Sequence, residues 1–366
     1  MAKKLFIAAT GQDIGKTTAS LSLVHLAKKK YRRVGFIKPL GPKVTEYKGL
    51  TVDKDAALMC QVFNMGHNLP YMSPVIIHPD STRKALNGEL DSQELEKMIL
   101  QAGEILDKKC DFIIIEGSGH PGVGSVVNLS NARIAKLLGA KILMITGGGI
   151  GNVIDNVYMN KALFEKEGVE IRAVMPNKIL PEKRESTLEY LEKAFAGESF
   201  TVVGGFNYQP VLANPTLNRI ASILDLEIHG NKRDAKRIIH YLQIGAPSTQ
   251  RVTELLREDT LLIVTSSRDE LLVTLSNMYQ IPAYRHKIVG LLIPGIHKIS
   301  DITQQIIDRS NIPYLRTTSH TTGKLYRTIN EDVYKLQAED KEKIDMIKKL
   351  SETRFDFDKL DALFDD

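Results

Sequence analysis

Lys16 and Thr17, preceded by Gly15 in a turn of small residues, are the residues of this 366-residue chain best suited to hold phosphate. The stretch Lys4 to Thr18, KLFIAATGQDIGKTT, reads as a buried strand, a turn and a helix start. At such a junction successive backbone N–H groups point into one concavity, and the helix adds its positive dipole end. Gly15 lets the backbone approach a phosphate closely. The Lys16 ammonium would reach the β- and γ-phosphates, and the Thr17 hydroxyl would sit on Mg²⁺. The cradle comprises Gly11, Gln12, Asp13, Ile14, Gly15, Lys16, Thr17 and Thr18. The commonest form of this turn begins with glycine five residues before Gly15; Thr10 stands there instead, with Gly11 after it.

A second chemical stretch is Asp111 to Gly119, DFIIIEGSG. Its apolar run marks a strand covered on both faces, as in a parallel sheet. Glu116 closes that strand at the end where open α/β sheets bind ligands. A carboxylate there costs desolvation unless it is paired or holds a metal. Four further side chains stand at comparable places: Lys38 at the end of a strand, Asp55 in the first turn of a helix, His120 in a glycine-rich loop and Asn177 after Pro176. Each also has a plain reading. Lys38 could be a solvated strand-end lysine, Asp55 a helix-start acid beside Asp53, Asn177 a turn residue and His120 a structural histidine. The run Lys28 to Arg33 reads as cations at a helix C-terminus rather than a nucleic-acid patch.

These residues need elements to position them. Strands are expected at 34–37, 111–116, 141–145, 171–175 and 201–205. Helices are expected at 17–30, 54–63 (capped by Asp53), 91–109, 153–167 and 182–196. Residues 40–51 read as a loop. Strand–helix alternation of this kind implies right-handed crossovers and an α/β fold, a doubly wound, mainly parallel sheet. Pro210 and Pro215 bracket a linker. A second, smaller α/β unit follows, with strands near 239–243, 261–264, 288–293 and 314–315. Its helices fall near 248–257, 269–279, 299–309 and 322–328. From Asn330 the chain is charged and helix-prone. Phe355, Phe357, Leu360, Leu363 and Phe364 give its last arm an apolar stripe, which should dock on the chain itself or on a twin subunit. The expected domains are 1–207, 208–330 and a C-terminal extension, 331–366.

Composition sets the bounds. The chain is 43% hydrophobic and 25% charged, ordinary for a globular protein with real cores. A formal charge of +5 argues against nucleic acid as the main partner. Cys60 and Cys110 lack metal-type spacing and suggest a reducing, cytoplasmic setting. No apolar run approaches the roughly 18 residues a membrane span needs.

Ala9 to Thr17, Lys38-Pro39, Asp55-Ala56, Glu116 to Gly119 and Pro176-Asn177 fall in the order and approximate spacing of dethiobiotin synthetase, which the first 206 residues resemble. That family belongs to the P-loop NTPases. Residues 210–329 resemble the DRTGG domain, and the pairing is similar to the N-terminal half of long phosphotransacetylases. The resemblance implies ATP and Mg²⁺. Lys16, Lys38 and Glu116 would serve catalysis, Thr17, Asp55 and Glu116 the metal, and Asn177 the adenine edge. It implies phosphoryl transfer to a small carboxylate or carbamate that an amine then attacks, a regulatory second domain and a homodimer. A nucleotide sensor controlling a separate acyl-transfer enzyme is the alternative. The chain departs from the family at Ala9, at Leu40 to Lys43 and after Glu116, the regions that would meet a diamino-acid substrate. In the second domain Arg268 matches the arginine of the DRTGG motif, Ser266-Ser267 replace the pair before it, and Pro294-Gly295 partly match its glycines. These residues are ligand candidates.

Overall fold

A computed structural model describes residues 1–331 and 336–365. The chain forms two compact units, Met1–Gln209 with Lys341–Asp366 and Pro210–Asp340. Of the charged segment expected from Asn330 onward, residues 332–335 and 366 lie outside the described residues.

The first unit is built on six strands: β1 (Lys3–Ala9), β2 (Val34–Ile37), β3 (Phe112–Glu116), β4 (Lys141–Gly147), β5 (Ile171–Asn177) and β6 (Thr201–Val202). They lie in the order β6-β5-β4-β1-β3-β2, and every neighbouring pair is parallel. The chain first moves from β1 to β2 at one edge, then steps across β1 toward β6. With right-handed crossovers, opposite directions of travel put helices on opposite faces. Phe6 and Ala8 of β1 share a core with Ile99 and Leu106 of helix Ser92–Lys109 and with Val153, Val157 and Phe164 of helix Ile150–Glu167. Helix α1 (Lys16–Lys30) buries Leu21, Leu23 and Val24 and packs on β1, β2 and β3. This is the doubly wound parallel sheet that the alternation implies. It reverses direction beside β1, so a crevice opens at the carboxyl end of that strand.

Local differences from the expected elements cluster between β2 and β3. Residues expected as a loop form a short strand, Leu40–Gly41, and a hairpin, Val44–Tyr47 with Leu50–Asp53, whose turn uses Lys48 and Gly49 at positive φ. The sixth strand is shorter than expected, and β5 runs two residues further to include Pro176 and Asn177.

The second unit holds β7 (Ile228–His229), β8 (Tyr241–Ile244), β9 (Thr260–Ile263), β10 (Ile288–Pro294) and β11 (Tyr314–Thr317). Their order is β7-β11-β10-β9-β8, parallel except for β7 at the edge. The edge strand and helix Leu217–Leu224 carried too short a pattern to stand out. From Lys341 the chain rejoins the first unit. Helix Lys341–Arg354 lies against α1, and Leu360 and Phe364 of the apolar arm are buried.

Candidate nucleotide site

The turn after β1 is shaped by backbone conformation before any side chain acts. Gly15 sits at φ 109°, in the left-handed region, as the N-cap of α1. A Cβ built there would lie 2.3 Å from Asn177 Nδ2, so glycine is required twice over. Asn177 closes the turn from the other side. Its Nδ2 donates to the Ile14 carbonyl at 2.8 Å, and its Oδ1 accepts from Phe206 N at 3.1 Å. Lys178 Nζ donates to the Asp13 carbonyl at 2.7 Å, while Gln12 and Asp13 themselves face solvent.

Sheet register assembles the charged centre. Ile37 pairs with Ile115, so the next residues, Lys38 and Glu116, come level on neighbouring strands. The Lys38 ammonium donates to Glu116 Oε1 at 2.8 Å, to Asp55 Oδ2 at 2.9 Å and to the Gly117 carbonyl at 3.3 Å. Asp55 is delivered by the first turn of helix Lys54–Phe63, whose N-cap Asp53 accepts from Asp55 N at 2.8 Å. The Thr17 hydroxyl donates to Asp55 Oδ1 at 3.2 Å and lies 3.3 Å from Glu116 Oε1. Lys16 folds over the turn and donates to the Gly11 and Gly119 carbonyls at 3.0 and 2.8 Å.

The centre is dry. Lys38 is 4% exposed and Glu116 1%. Burial pushes the Glu116 carboxyl above its ordinary value, against the pull of Lys38. Burial works against the Lys38 charge, but Glu116, Asp55 and Asp53 together hold its ammonium well above the usual lysine range. Asp53 is pushed up to about 6 by burial and by its neighbour Asp55.

Five residues picked out by sequence, Lys16, Thr17, Lys38, Asp55 and Glu116, thus converge on the turn. Asn177 touches its far side, at Ile14. His120 stands apart: it is exposed, and its Nδ1 accepts from Gly122 N at 3.2 Å within its own loop. Two contributors were not foreseen. Ser20 donates to Glu116 Oε2 at 2.6 Å, and its place three residues after Thr17 on α1 was the available signal. Asn131 fixes the loop after Glu116, donating to the Ser118 and His120 carbonyls and accepting from Ser118 N.

The oxygen set suits Mg²⁺. That ion takes one or two carboxylates and leaves positions for phosphate and water. Thr17, Asp55 and Glu116 offer one hydroxyl and two carboxylates within about one hydrogen bond of each other. Among the described residues no three His, Cys, Asp or Glu side chains gather into a metal site of their own.

A doubly wound parallel sheet with such a turn between its first strand and helix is the architecture of P-loop NTPases. The chain belongs to the AAA domain family (AAA_26), whose model matches residues 3–216, and the DRTGG domain matches residues 219–331. It is similar to phosphate acetyltransferase of Synechocystis, 23% identical over 88% of this chain and 46% of that protein. It therefore spans about half the length of that relative. It is also similar to the ATP-dependent dethiobiotin synthetase BioD of Methanocaldococcus jannaschii, 27% identical over 52% of this chain and 86% of that protein. Among solved structures, apo McdA of Cyanothece matches 57% of this chain and 87% of its own at 13% identity, with a TM-score of 0.38. Among the described residues, no helix is long and apolar enough to cross a membrane.

Proposed function

We propose that the first unit binds ATP with Mg²⁺ and transfers or hydrolyses its terminal phosphate, under control of the second unit. The observation that carries this is the meeting of Lys16, Thr17, Lys38, Asp55 and Glu116, drawn from four separate elements, at the carboxyl end of β1. Backbone amides of residues 11–17 and the Lys16 ammonium neutralise the polyphosphate, with Asn177 beside the base. Thr17, Asp55 and Glu116 hold Mg²⁺, which supplies charge neutralisation at the β- and γ-phosphates. Lys38 stands where a small carboxylate or carbamate acceptor would meet the terminal phosphate, and an amine would complete the reaction. The relatives named for ATP-dependent synthesis and for phosphate acetyltransfer support the class without fixing the acceptor. The chain acts in the cytoplasm as a homodimer, without nucleic acid or membrane; light scattering at micromolar concentration reads the dimer.

Lys16→Ala tests the reading. Removing a charge-assisted contact of about 1.5–3 kcal/mol weakens ATP binding roughly 10- to 100-fold and abolishes Mg²⁺-dependent ADP release. Equal, Mg²⁺-independent binding by both proteins would overturn it. One observation favours a sensor that binds without turnover: the loop after Glu116 is fixed by Asn131 and by Ser118 Oγ, which donates to the Leu40 carbonyl at 2.7 Å. ATP recovered intact after hours on the protein selects that alternative.

A further inference from the structure

The carboxylate oxygens of Asp55 and Glu116 each accept a hydrogen bond from the chain itself. Asp55 Oδ1 accepts from the Thr17 hydroxyl at 3.2 Å, and Asp55 Oδ2 from the Lys38 ammonium at 2.9 Å. Glu116 Oε2 accepts from Ser20 at 2.6 Å. Glu116 Oε1 lies 2.8 Å from Lys38 Nζ and 3.3 Å from the Thr17 hydroxyl. The oxygens that a divalent cation beside Thr17 would take are therefore the ones Lys38 bridges. Lys38 has little freedom to share them. It is 4% exposed, and an ammonium has three hydrogens, which here go to Asp55, Glu116 and the Gly117 carbonyl.

An ammonium and a divalent cation on the same two carboxylates repel each other, and in so dry a place water screens them little. Drawing Lys38 off both acids with no other anion to meet it would strand a buried charge, which is costly. The terminal phosphate of a nucleotide is such an anion. Lys16, which would carry it, already meets the Gly119 carbonyl at 2.8 Å, two residues along the loop that Lys38 touches at Gly117. We infer that Lys38 is an internal counter-cation that gates the Mg²⁺ seat. It holds Asp55 and Glu116 until a phosphate draws its ammonium away, so Mg²⁺ enters with or after the nucleotide and not before it. This rests on the reading of Thr17, Asp55 and Glu116 as the Mg²⁺ seat and adds the order in which that seat fills.

Mn²⁺, followed by its paramagnetic resonance signal on the full chain without nucleotide, tests the gate. The unaltered protein should bind it weakly. Lys38→Met should bind it roughly 10- to 100-fold tighter, because a buried competitor for both carboxylates is gone. Lys38→Arg, which keeps the charge, should bind it no tighter than the unaltered protein. Millimolar Mg²⁺ should also restore much of the urea stability lost in Lys38→Met while adding little to the unaltered chain, as ligand linkage requires. Lys38→Gln, which keeps one donor to the acids, carries both measurements if the Met variant does not fold. Equal affinity in the unaltered and Met proteins, or a gain in Lys38→Arg as large as in Lys38→Met, would overturn the gate. If β,γ-imido-ATP then still raised Mn²⁺ binding, the seat itself would stand. Mn²⁺ absent from every variant, with nucleotide as well as without, would overturn seat and gate together.

Discussion

Lys38 balances two carboxylates that it touches and a third, Asp53, that it feels through space. That arithmetic makes the two ends of the network unequal. In Lys38→Met the buried Glu116 carboxylate loses the ammonium it is paired with, and breaking a buried pair in this way costs about 3–5 kcal/mol. Glu116→Gln leaves Lys38 on Asp55 and reduces an excess of negative charge, so a loss nearer 1 kcal/mol is expected. Urea unfolding in a chelator at about pH 7.5 should rank the two variants in that order. The Lys38→Met deficit should also shrink toward about pH 5.5. Carboxyls whose folded pKa lies above the unfolded value make the native state bind more protons, so stability falls as pH rises through that range. Equal deficits at both pH values would show that Lys38 acts by packing. Glu116 was legible in sequence because an acid closing an apolar strand demands explanation. Ser20 was not, since a helical serine reads as neutral and its partner lies 96 residues away.

At the scale of elements, α1 is held at both ends. Its N-terminus forms the cradle, and the segment Lys341 to Asp365 docks along its body and C-terminus. Glu352 Oε1 meets His25 at 2.7 Å and Lys29 at 2.6 Å. Asp361 meets Lys3 at 2.8 Å, Lys30 at 2.9 Å and the Tyr31 hydroxyl. The basic run at 28–33 therefore has a concrete use: it receives an acidic segment as well as suiting a helix C-terminus. Lys29 and His25 hold the Glu352 carboxyl down at about 2, and Asp361 is likewise held below the usual carboxylate range. Depressed carboxyls stabilise the docked state above their unfolded pKa, near 4.3, and release that contribution as pH falls toward 2. Amide exchange in residues 341–365 should accelerate over that window before exchange in β1 and β3 does. Simultaneous loss of protection in strands and segment would mean the ion pairs do not govern docking. Strands and long helices of both units were legible through their patterning. The hairpin at 44–53 was not, because Gly49 and the mixed polarity of that stretch mimic a loop.

For the molecule as a whole, the chain leaves its first unit at Gln209 and returns at Lys341, so the second unit is an insertion between two parts of the first. Sequence order alone cannot reveal a return of this kind, because the docking side chains lie more than 300 residues from their partners in the chain. The return also changes what the apolar stripe can mean. Leu360 and Phe364 are buried within their own unit, Phe355 packs on Phe206 with ring centroids 4.9 Å apart, and Phe357 packs on Phe112 at 6.1 Å. A stripe spent in this way is not available to a second copy of the chain. Removing residues 341–366 should therefore cost stability without changing oligomeric mass. Ile344, Ile347, Leu360 and Phe364 each contribute about 1.5–3 kcal/mol of burial, largely offset by the cost of ordering the segment. A net loss of a few kcal/mol, or a melting temperature lower by roughly 5–10 °C, is the expected remainder. Light scattering and thermal unfolding of the 1–340 fragment beside the full chain separate the alternatives. A dimer that becomes a monomer with unchanged melting would show that the arm joins subunits; a lower melting temperature at unchanged mass would show that it completes the nucleotide-binding unit from within.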